Sequence, residues 1–318
     1  MDKRQEIIQM LNIENGSEAF YHLLWQASHM SRTQYGNRGY LFVQIGLNAA
    51  PCSGRCKFCS LNADQFCVEE PYTMTPNQLE HLLSTIDFSK VSDLFLMTTA
   101  DYDQDEFLTM CRLARKKIPP QVGLVANVGD FDREYAFALK EAGVHAVYHI
   151  VRLREGIDTG IPKETRIRTL DCANEAGLSI YYCIEPIGVE HTYEEIAEEI
   201  LRAIHYKVDV MAIMGRISVP GTPYESVPEV GEMELAKIAA VARIAVNPKI
   251  SMNIHELKKT ALLAGVNQLY AEVGINPRDT VKDTAKHRGL SVAEGEQVLA
   301  EFGYPVLTEQ NDLLSGSK

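Results

Sequence analysis

The chain has 318 residues, of which 46% are hydrophobic, and it carries a formal net charge of -12. An acidic chain repels phosphate backbones and anionic lipid surfaces, so the charge disfavours a nucleic-acid partner and a membrane partner. No apolar run approaches the roughly 20 residues needed to cross a bilayer, and an odd count of 7 cysteines argues against a disulfide framework. We therefore expect a cytoplasmic protein.

The first elements in chain order are a helix and a strand. A helix is predicted over 17–31 because Phe20, Leu23 and Ala27 recur at helical spacing. A strand is predicted over 40–45, where the residues are mostly apolar and β-forming. The helix therefore forms an extension that precedes the first strand.

Three cysteines follow this strand in a polar turn, namely Cys52, Cys56 and Cys59, with three and then two residues between them. Thiolates so close in sequence can bind one inorganic cluster, and three of them leave one iron of a four-iron cluster without a protein ligand. A zinc site is the alternative, and it would need a distant His or Cys, or a water, as its fourth ligand. In the four-iron case, the iron without a protein ligand has an open coordination site and can react with a bound molecule.

Beyond the cysteines, strand-like and helix-like runs alternate. Strands are predicted at 93–98, 121–126, 146–151, 179–184, 210–214, 250–254 and 268–273. Helices are predicted at 77–86, 105–116, 132–142, 163–176, 193–205 and 232–245, with a last one at 291–302. Thr75 and Pro76 are start signals for the first of these helices, and Gly143 and Gly177 are stop signals for two others.

Regular alternation of this kind predicts parallel strands joined by right-handed crossovers. About eight strands predict an α/β fold, a complete or nearly complete (β/α)8 TIM-type barrel with an N-terminal helical extension and a C-terminal helix. The expected organisation is an extension over 1–39, a barrel over 40–290, and a helix with a polar tail over 291–318. Chemistry in such barrels gathers at the carboxyl ends of the strands, where the cysteine loop lies.

The cysteine loop, with the aromatic Phe58 directly before Cys59, resembles the signature of radical S-adenosylmethionine (SAM) enzymes. The resemblance implies a 4Fe-4S cluster held by the three thiolates, with the amino and carboxylate groups of SAM on the fourth iron. It also implies a flavodoxin-like or ferredoxin-like electron donor and cleavage of SAM to a 5'-deoxyadenosyl radical. That radical would abstract a hydrogen atom from a small-molecule substrate.

Further stretches between about residues 40 and 304 resemble the biotin-synthase group of this superfamily. Arg166, with Arg168 as its rival, falls in a segment like the one whose arginine binds the SAM carboxylate. Glu155, with Asp158 as second choice, falls in a loop like the one that supplies a carboxylate to SAM. The SAM site implied by the resemblance consists of Phe58, Thr98, Thr99, Asn127, Glu155, Arg166 and Glu185.

Polar residues at strand ends that have no general SAM role are candidate substrate contacts. They are Tyr148, His149, Tyr182, Asn253, His255, Glu272 and Arg278. Each could instead satisfy backbone groups at a strand end. His255 and Glu272 are the strongest candidates, and Arg278 would suit a carboxylate on a small substrate. No catalytic residue is assigned.

Several reactions are compatible with this resemblance. Biotin synthase uses a second cluster, bound by further cysteines, as its sulfur donor. Here Cys183 falls on one of those ligand positions, but Met97 and Leu124 stand near others. The sequence therefore lacks the ligands for a sulfur-donating cluster. The stretches around His149 and Glu272 look more like the radical SAM protein associated with assembling the guanylylpyridinol (FeGP) cofactor of iron-only hydrogenase. Biotin-synthase-like sulfur insertion, a methylornithine-synthase-like rearrangement, an electron-transfer protein and a non-catalytic iron–sulfur maturation scaffold remain alternatives.

Overall fold

Ten strands are present in the computed structural model, which describes residues 2–68, 70–273 and 289–306. They are β1 (Tyr40–Gly46), β2 (Asn48–Ala49), β3 (Tyr72–Thr73), β4 (Asp93–Met97), β5 (Gly123–Asn127), β6 (Ala146–Tyr148), β7 (Ser179–Ile187), β8 (Val210–Gly215), β9 (Ser251–His255) and β10 (Gln268–Val273). Strands β2 and β3 form a small antiparallel pair. The other eight are parallel and form a closed barrel in the order β1–β10–β9–β8–β7–β6–β5–β4, which confirms the predicted fold class.

Helices surround the barrel and precede it. They are α1 (Lys3–Leu11), α2 (Glu18–Tyr35), α3 (Pro76–Ser84), α4 (Gln104–Lys117), α5 (Arg133–Glu141), α6 (Lys163–Glu175), α7 (Tyr193–Tyr206), α8 (Glu232–Val246), α9 (Lys259–Leu262) and α10 (Val292–Glu301). Arg243 of α8 is fully buried and links α8 to α2, because it donates to Ser31 Oγ at 2.7 Å and to Gln34 Oε1 at 2.6 Å. None of the helices within the described residues is long and apolar enough to cross a membrane.

The local signals in the sequence mark helix ends well. Thr75 forms a full capping box with Gln78 at the start of α3. Gly143 and Gly177, which follow α5 and α6, have φ of 91° and 68°, a conformation that side chains rarely adopt. Helices α1 and α9 and the β2–β3 pair were not predicted; α9 has only four residues and each of the two strands only two, too few for a periodic pattern to show.

The interior of the barrel is aromatic in its middle layer. The rings of Phe42 and Phe95 stack with centroids 4.1 Å apart, and Tyr270 lies 5.6 Å from Phe42. Alternate residues of each strand point inward, so the next inward position of β1 beyond Phe42 is Gln44. The aromatic layer therefore closes the barrel beneath a polar layer at the carboxyl ends of the strands.

Candidate active site

A cavity of about 130 Å³ opens at the carboxyl ends of the strands. Its wall contains the three cysteines that follow β1, the residues after β4, the end of β5, the segment after β6 and one arginine of α6. The polar and sulfur-bearing residues of this wall are Cys52, Cys56, Cys59, Thr98, Thr99, Asn127, Tyr148, His149, Arg152 and Arg166. The structure thus brings together sequence-predicted residues from five separate segments.

Backbone amides surround the cysteine sulfurs. The N–H groups of Gly54 and Ala100 each point at Cys52 Sγ at 3.4 Å, and the N–H of Leu61 points at Cys59 Sγ at 3.5 Å. Such donors stabilise negative charge on sulfur and are one of the factors that tune iron–sulfur clusters. The backbone of the cysteine loop and of the segment after β4 therefore provides N–H donors to the sulfurs of Cys52 and Cys59.

Gly54 lies between two of these sulfurs. A Cβ at this position would be 3.3 Å from Cys52 Sγ and 3.8 Å from Cys56 Sγ, so a side chain would intrude on the space that the sulfurs share. Burial raises the pKa of Cys56 to about 11 and that of Cys59 to about 12. Thiols in such surroundings become thiolates when a bound metal supplies positive charge.

The donor set suits a cluster better than a single ion. Within the described residues, no three His, Cys, Asp or Glu side chains are close enough to hold one metal ion. In a four-iron cluster each thiolate binds a different iron, so the sulfurs need not converge on one point. Three sulfurs in one cavity wall, with a side-chain-free position between two of them, fit such a cluster.

Two neighbouring loops hold the cysteine loop in place. After β6, Asp158 accepts from Lys57 Nζ at 2.9 Å, and its carbonyl accepts from the Lys57 N–H at 2.9 Å. After β4, Asp101 accepts from the N–H and the hydroxyl of Ser53 at 2.6 and 2.5 Å. Asp158, the second choice for a SAM carboxylate, thus pairs with the cysteine loop instead of lining the cavity.

The two rival arginines of α6 have different surroundings. Arg168 is exposed and donates only to Thr165 on its own helix. Arg166 is buried against the cavity, with Nη1 3.1 Å from Asp130 Oδ2. Its Nε lies 3.5 Å from a Glu155 oxygen but makes no hydrogen bond within the described structure. Arg166 is therefore the arginine of this pair that can donate to a ligand in the cavity.

Glu155 supports the site from behind. Its carboxylate accepts from the Arg152 N–H at 2.9 Å and from the Thr159 hydroxyl at 2.6 Å. The carboxylate is fully buried and does not line the cavity. Its position below the guanidinium of Arg166 makes it an orienting group for that arginine.

Asp130 connects two residues of the cavity wall. Its Oδ1 lies 3.2 Å from His149 Nε2 and accepts from the Thr169 hydroxyl at 3.0 Å, while its Oδ2 faces Arg166. Burial alone would raise its pKa, but His149, Arg166 and Thr169 outweigh burial and hold the pKa of Asp130 at about 2. Burial, reinforced by the charge of Arg166, lowers the pKa of His149, so the imidazole is neutral near pH 7.

A second cavity of about 110 Å³ lies beside the first, in the polar layer of the barrel. Asn127, Tyr148 and Arg152 line both cavities, whereas Gln44, Glu185 and His255 line only the second. Phe58 also faces the second cavity. Two residues expected around SAM, Phe58 and Glu185, are therefore placed in the barrel interior, where two expected substrate residues, Tyr148 and His255, also lie.

The remaining predicted substrate residues lie elsewhere. Tyr182 points into the helix layer, where its hydroxyl donates to Glu199 of α7 at 2.5 Å. Asn253 lies deeper in the barrel and donates to the Gln268 carbonyl at 3.0 Å. Glu272 does not line the second cavity, but its carboxylate accepts from Nε2 of Gln44, which does, at 2.9 Å. Arg278 lies outside the described residues.

Sequence reasoning missed Arg152, Asp130 and Gln44. Asp130 follows β5 at a strand end, so the rule that strand ends carry the chemistry could have found it. Gln44 could have been found from strand alternation, because it is two residues from the inward Phe42. Arg152 gave no such signal, because it lies four residues beyond the end of β6 in irregular backbone.

The comparisons with known proteins identify the family of this chain. The model of the radical SAM superfamily matches residues 51–233. Because this match covers more than half of the chain, the protein belongs to the radical SAM superfamily and is an enzyme. Biotin synthase of Rickettsia felis is 24% identical over 275 residues, which cover 80% of this chain and 87% of that protein. Biotin synthase of Akkermansia muciniphila is 23% identical over 300 residues, with 89% of each chain covered.

Solved structures share the whole fold. The crystal structure of methylornithine synthase matches with a TM-score of 0.84 and 18% identity, covering 98% of this chain and 96% of that one. The structure of the FeFe-hydrogenase maturase HydG from Carboxydothermus hydrogenoformans matches with a TM-score of 0.77 and 16% identity, covering 95% and 78%. At this identity the likeness shows the fold alone. The predicted superfamily and barrel are both confirmed.

Proposed function

We propose that this radical SAM enzyme holds its 4Fe-4S cluster with Cys52, Cys56 and Cys59 and binds SAM in the first cavity. When bound, the cluster supplies the electron that cleaves SAM, and SAM supplies the radical that removes a hydrogen atom from a substrate. The observation that carries the proposal is the single cavity wall that contains three cysteine sulfurs together with an Arg166 Nε that lacks a hydrogen-bond partner within the described residues.

Buried polar atoms without partners are the second support. The Arg166 Nε, which faces Glu155 at 3.5 Å, and the Thr98 hydroxyl are both buried and make no hydrogen bond within the described residues, and both residues line the first cavity. Leaving such groups unsatisfied costs about 1–3 kcal/mol each, more for a charged group, so they favour a polar ligand. We assign Arg166 to the SAM carboxylate and Thr98 to its amino group.

Thr99 and Asn127 have supporting positions in the same wall. Thr99 is fixed by Asn48, which donates to its hydroxyl at 2.8 Å and accepts from its N–H at 2.9 Å. These two bonds hold the segment after β4 against β2, which directly precedes the cysteine loop. Asn127 lines both cavities, which supports its assignment as a SAM contact on the side that faces the substrate.

The finer proposal is hydrogen abstraction from a small molecule in cofactor biosynthesis. The pyridinol precursor of the FeGP cofactor is the specific hypothesis, and it rests on the resemblance of the stretches around His149 and Glu272. Sulfur insertion is disfavoured because Met97, not a thiol, lines both cavities. A flavodoxin-like or ferredoxin-like protein in the cytoplasm would donate the electron.

The test is anaerobic reconstitution with iron and sulfide, followed by reduction with dithionite in the presence of SAM. We expect about four irons per chain, a spectroscopic change on adding SAM, and release of 5'-deoxyadenosine. Cys56→Ser should lose both iron and product. Cys172→Ser, which changes a thiol on α6 outside the cavity, is the matched control and should keep both.

Two results would refute the proposal. If anaerobically prepared protein contained zinc instead of iron, the assignment of a 4Fe-4S cluster to the three cysteines would be wrong. A fully loaded four-iron protein that does not respond to SAM and releases no 5'-deoxyadenosine would indicate an electron-transfer or scaffold role instead.

A further inference from the structure

We propose that the second cavity binds a small substrate that carries a carboxylate beside an amine or hydroxyl group, as amino acids and 2-hydroxy acids do. Arg152 would bind the carboxylate, and Glu185 would accept the hydrogen bond from the amine or hydroxyl. This inference rests on the proposed function and specifies the substrate class of the same site. It replaces the sequence-based choice of Arg278 as the carboxylate-binding residue.

Arg152 has the chemistry and the freedom to bind a carboxylate. Its guanidinium lines the second cavity and is 23% exposed to it. Two carboxylates lie near it, Glu185 with 3.6 Å between Nε and Oε1 and Glu155 with 4.0 Å between Nη1 and Oε2. Both separations exceed a hydrogen bond, and within the described residues no group accepts one from this guanidinium. A planar carboxylate matches its fork of donors.

Glu185 offers the complementary acceptor. Its Oε2 accepts from the Tyr148 hydroxyl at 2.6 Å, which fixes the orientation of the carboxylate. Within the described structure its Oε1 accepts no hydrogen bond and faces the same cavity as Arg152. An amine or hydroxyl one or two bonds from a substrate carboxylate could bridge from Arg152 to this oxygen.

Charge favours a substrate with little net charge. In the wall of the second cavity, Arg152 faces Glu185, so this wall contains one pair of opposite charges. A ligand that presents an anion to Arg152 and a cation or neutral donor to Glu185 preserves that balance in a buried place. Bare dicarboxylates and polyamines would leave one partner uncompensated.

The shape of the cavity limits the rest of the molecule. The cavity, of about 110 Å³, lies between an aromatic wall and the cysteine loop. Phe95 forms part of its wall and belongs to the aromatic layer beneath, whereas Cys56 and Cys59 border it on the other side. The carbon chain would therefore contact the aromatic layer, and a carbon near the polar end would face the cysteine loop.

The experiment measures the transfer of deuterium from a labelled substrate to 5'-deoxyadenosine. Reconstituted enzyme with SAM and dithionite receives a mixture of carbon-deuterated L-amino acids, and a second reaction receives carbon-deuterated lactate, glycerate and malate. A hydrogen atom moved from the substrate carbon to the 5' carbon of SAM stays in 5'-deoxyadenosine, so deuterium adds one mass unit. We expect label from one of the two sets, which distinguishes the amine from the hydroxyl. The carboxamides that correspond to the same acids should transfer at least about tenfold less deuterium to 5'-deoxyadenosine.

Variants test the named residues. Arg152→Met should abolish the preference for acids over carboxamides, and Arg152→Lys should restore part of it, because charge remains while the planar fork is lost. Glu185→Gln should keep the preference but raise the KM. Arg168→Met, on the exposed face of α6, is the control and should change none of these values.

The outcomes separate the two proposals. If no addition yields 5'-deoxyadenosine, the proposed function fails. If 5'-deoxyadenosine forms but carries no deuterium from either set, or if carboxamides label it as well as acids do, the substrate class is wrong. That comparison uses the wild-type enzyme, so it holds even if Arg152→Met does not fold. Retention of the acid preference by a folded, iron-loaded Arg152→Met protein would also overturn the assignment.

Discussion

The guanidinium of Arg166 lies 3.1 Å from the carboxylate of Asp130, with Nη1 facing Oδ2. The other oxygen of Asp130 faces His149 across 3.2 Å. One carboxylate on the loop after β5 therefore orients two residues of the first cavity that come from different segments. The Arg166 side chain lines the first cavity, and its Nε makes no hydrogen bond within the described residues.

Asp130→Asn should weaken SAM binding about tenfold, because Arg166 loses a charged partner that orients it. Iron content should not change, since Asp130 contacts none of the cysteines. Equilibrium binding of SAM to reconstituted protein measures the effect, and Glu134→Gln, an exposed substitution on α5, is the control. Unchanged SAM affinity in Asp130→Asn would show that Asp130 does not position Arg166.

The same carboxylate should make stability depend on pH. Because the pKa of Asp130 in the folded protein is about 2, below its ordinary 3.8, its stabilising effect is present above about pH 4 and is lost as the pH falls toward 2. The difference corresponds to about 2 kcal/mol at neutral pH. Urea unfolding should show a gap between wild type and Asp130→Asn that shrinks below pH 4. A gap independent of pH would contradict the assignment.

Gly54→Ala should impair cluster binding. The new Cβ would lie 3.3 Å from Cys52 Sγ, closer than most real Cβ contacts, and 3.8 Å from Cys56 Sγ. We expect lower iron content after reconstitution and faster loss of iron to a chelator, with near-normal unfolding by urea. Gly231→Ala is the matched control, since a Cβ there meets nothing within 4 Å. Equal iron content in both variants would place the cluster elsewhere.

Tyr182→Phe should affect stability rather than chemistry. The substitution removes the hydroxyl that donates to buried Glu199 at 2.5 Å and accepts from the Val151 N–H at 3.2 Å. Leaving these groups unsatisfied should lower the free energy of unfolding by roughly 1–3 kcal/mol. SAM affinity and 5'-deoxyadenosine yield should stay the same. A selective loss of substrate turnover with normal stability would instead return Tyr182 to the substrate site.

The sequence determined the features that depend on short spacing. The Cys52, Cys56 and Cys59 pattern lies within one loop, and the strand and helix periods repeat within single elements, so neither needs a distant contact to be recognised. Cluster-binding chemistry, superfamily and barrel could all be predicted for this reason. Tertiary structure decided which side chains share a cavity. Arg166 rather than Arg168 faces inward, Tyr182 faces the helix layer, and Arg152 joins the two cavities. These positions depend on strand register and on where irregular loops end after closure of the barrel, which local spacing does not contain.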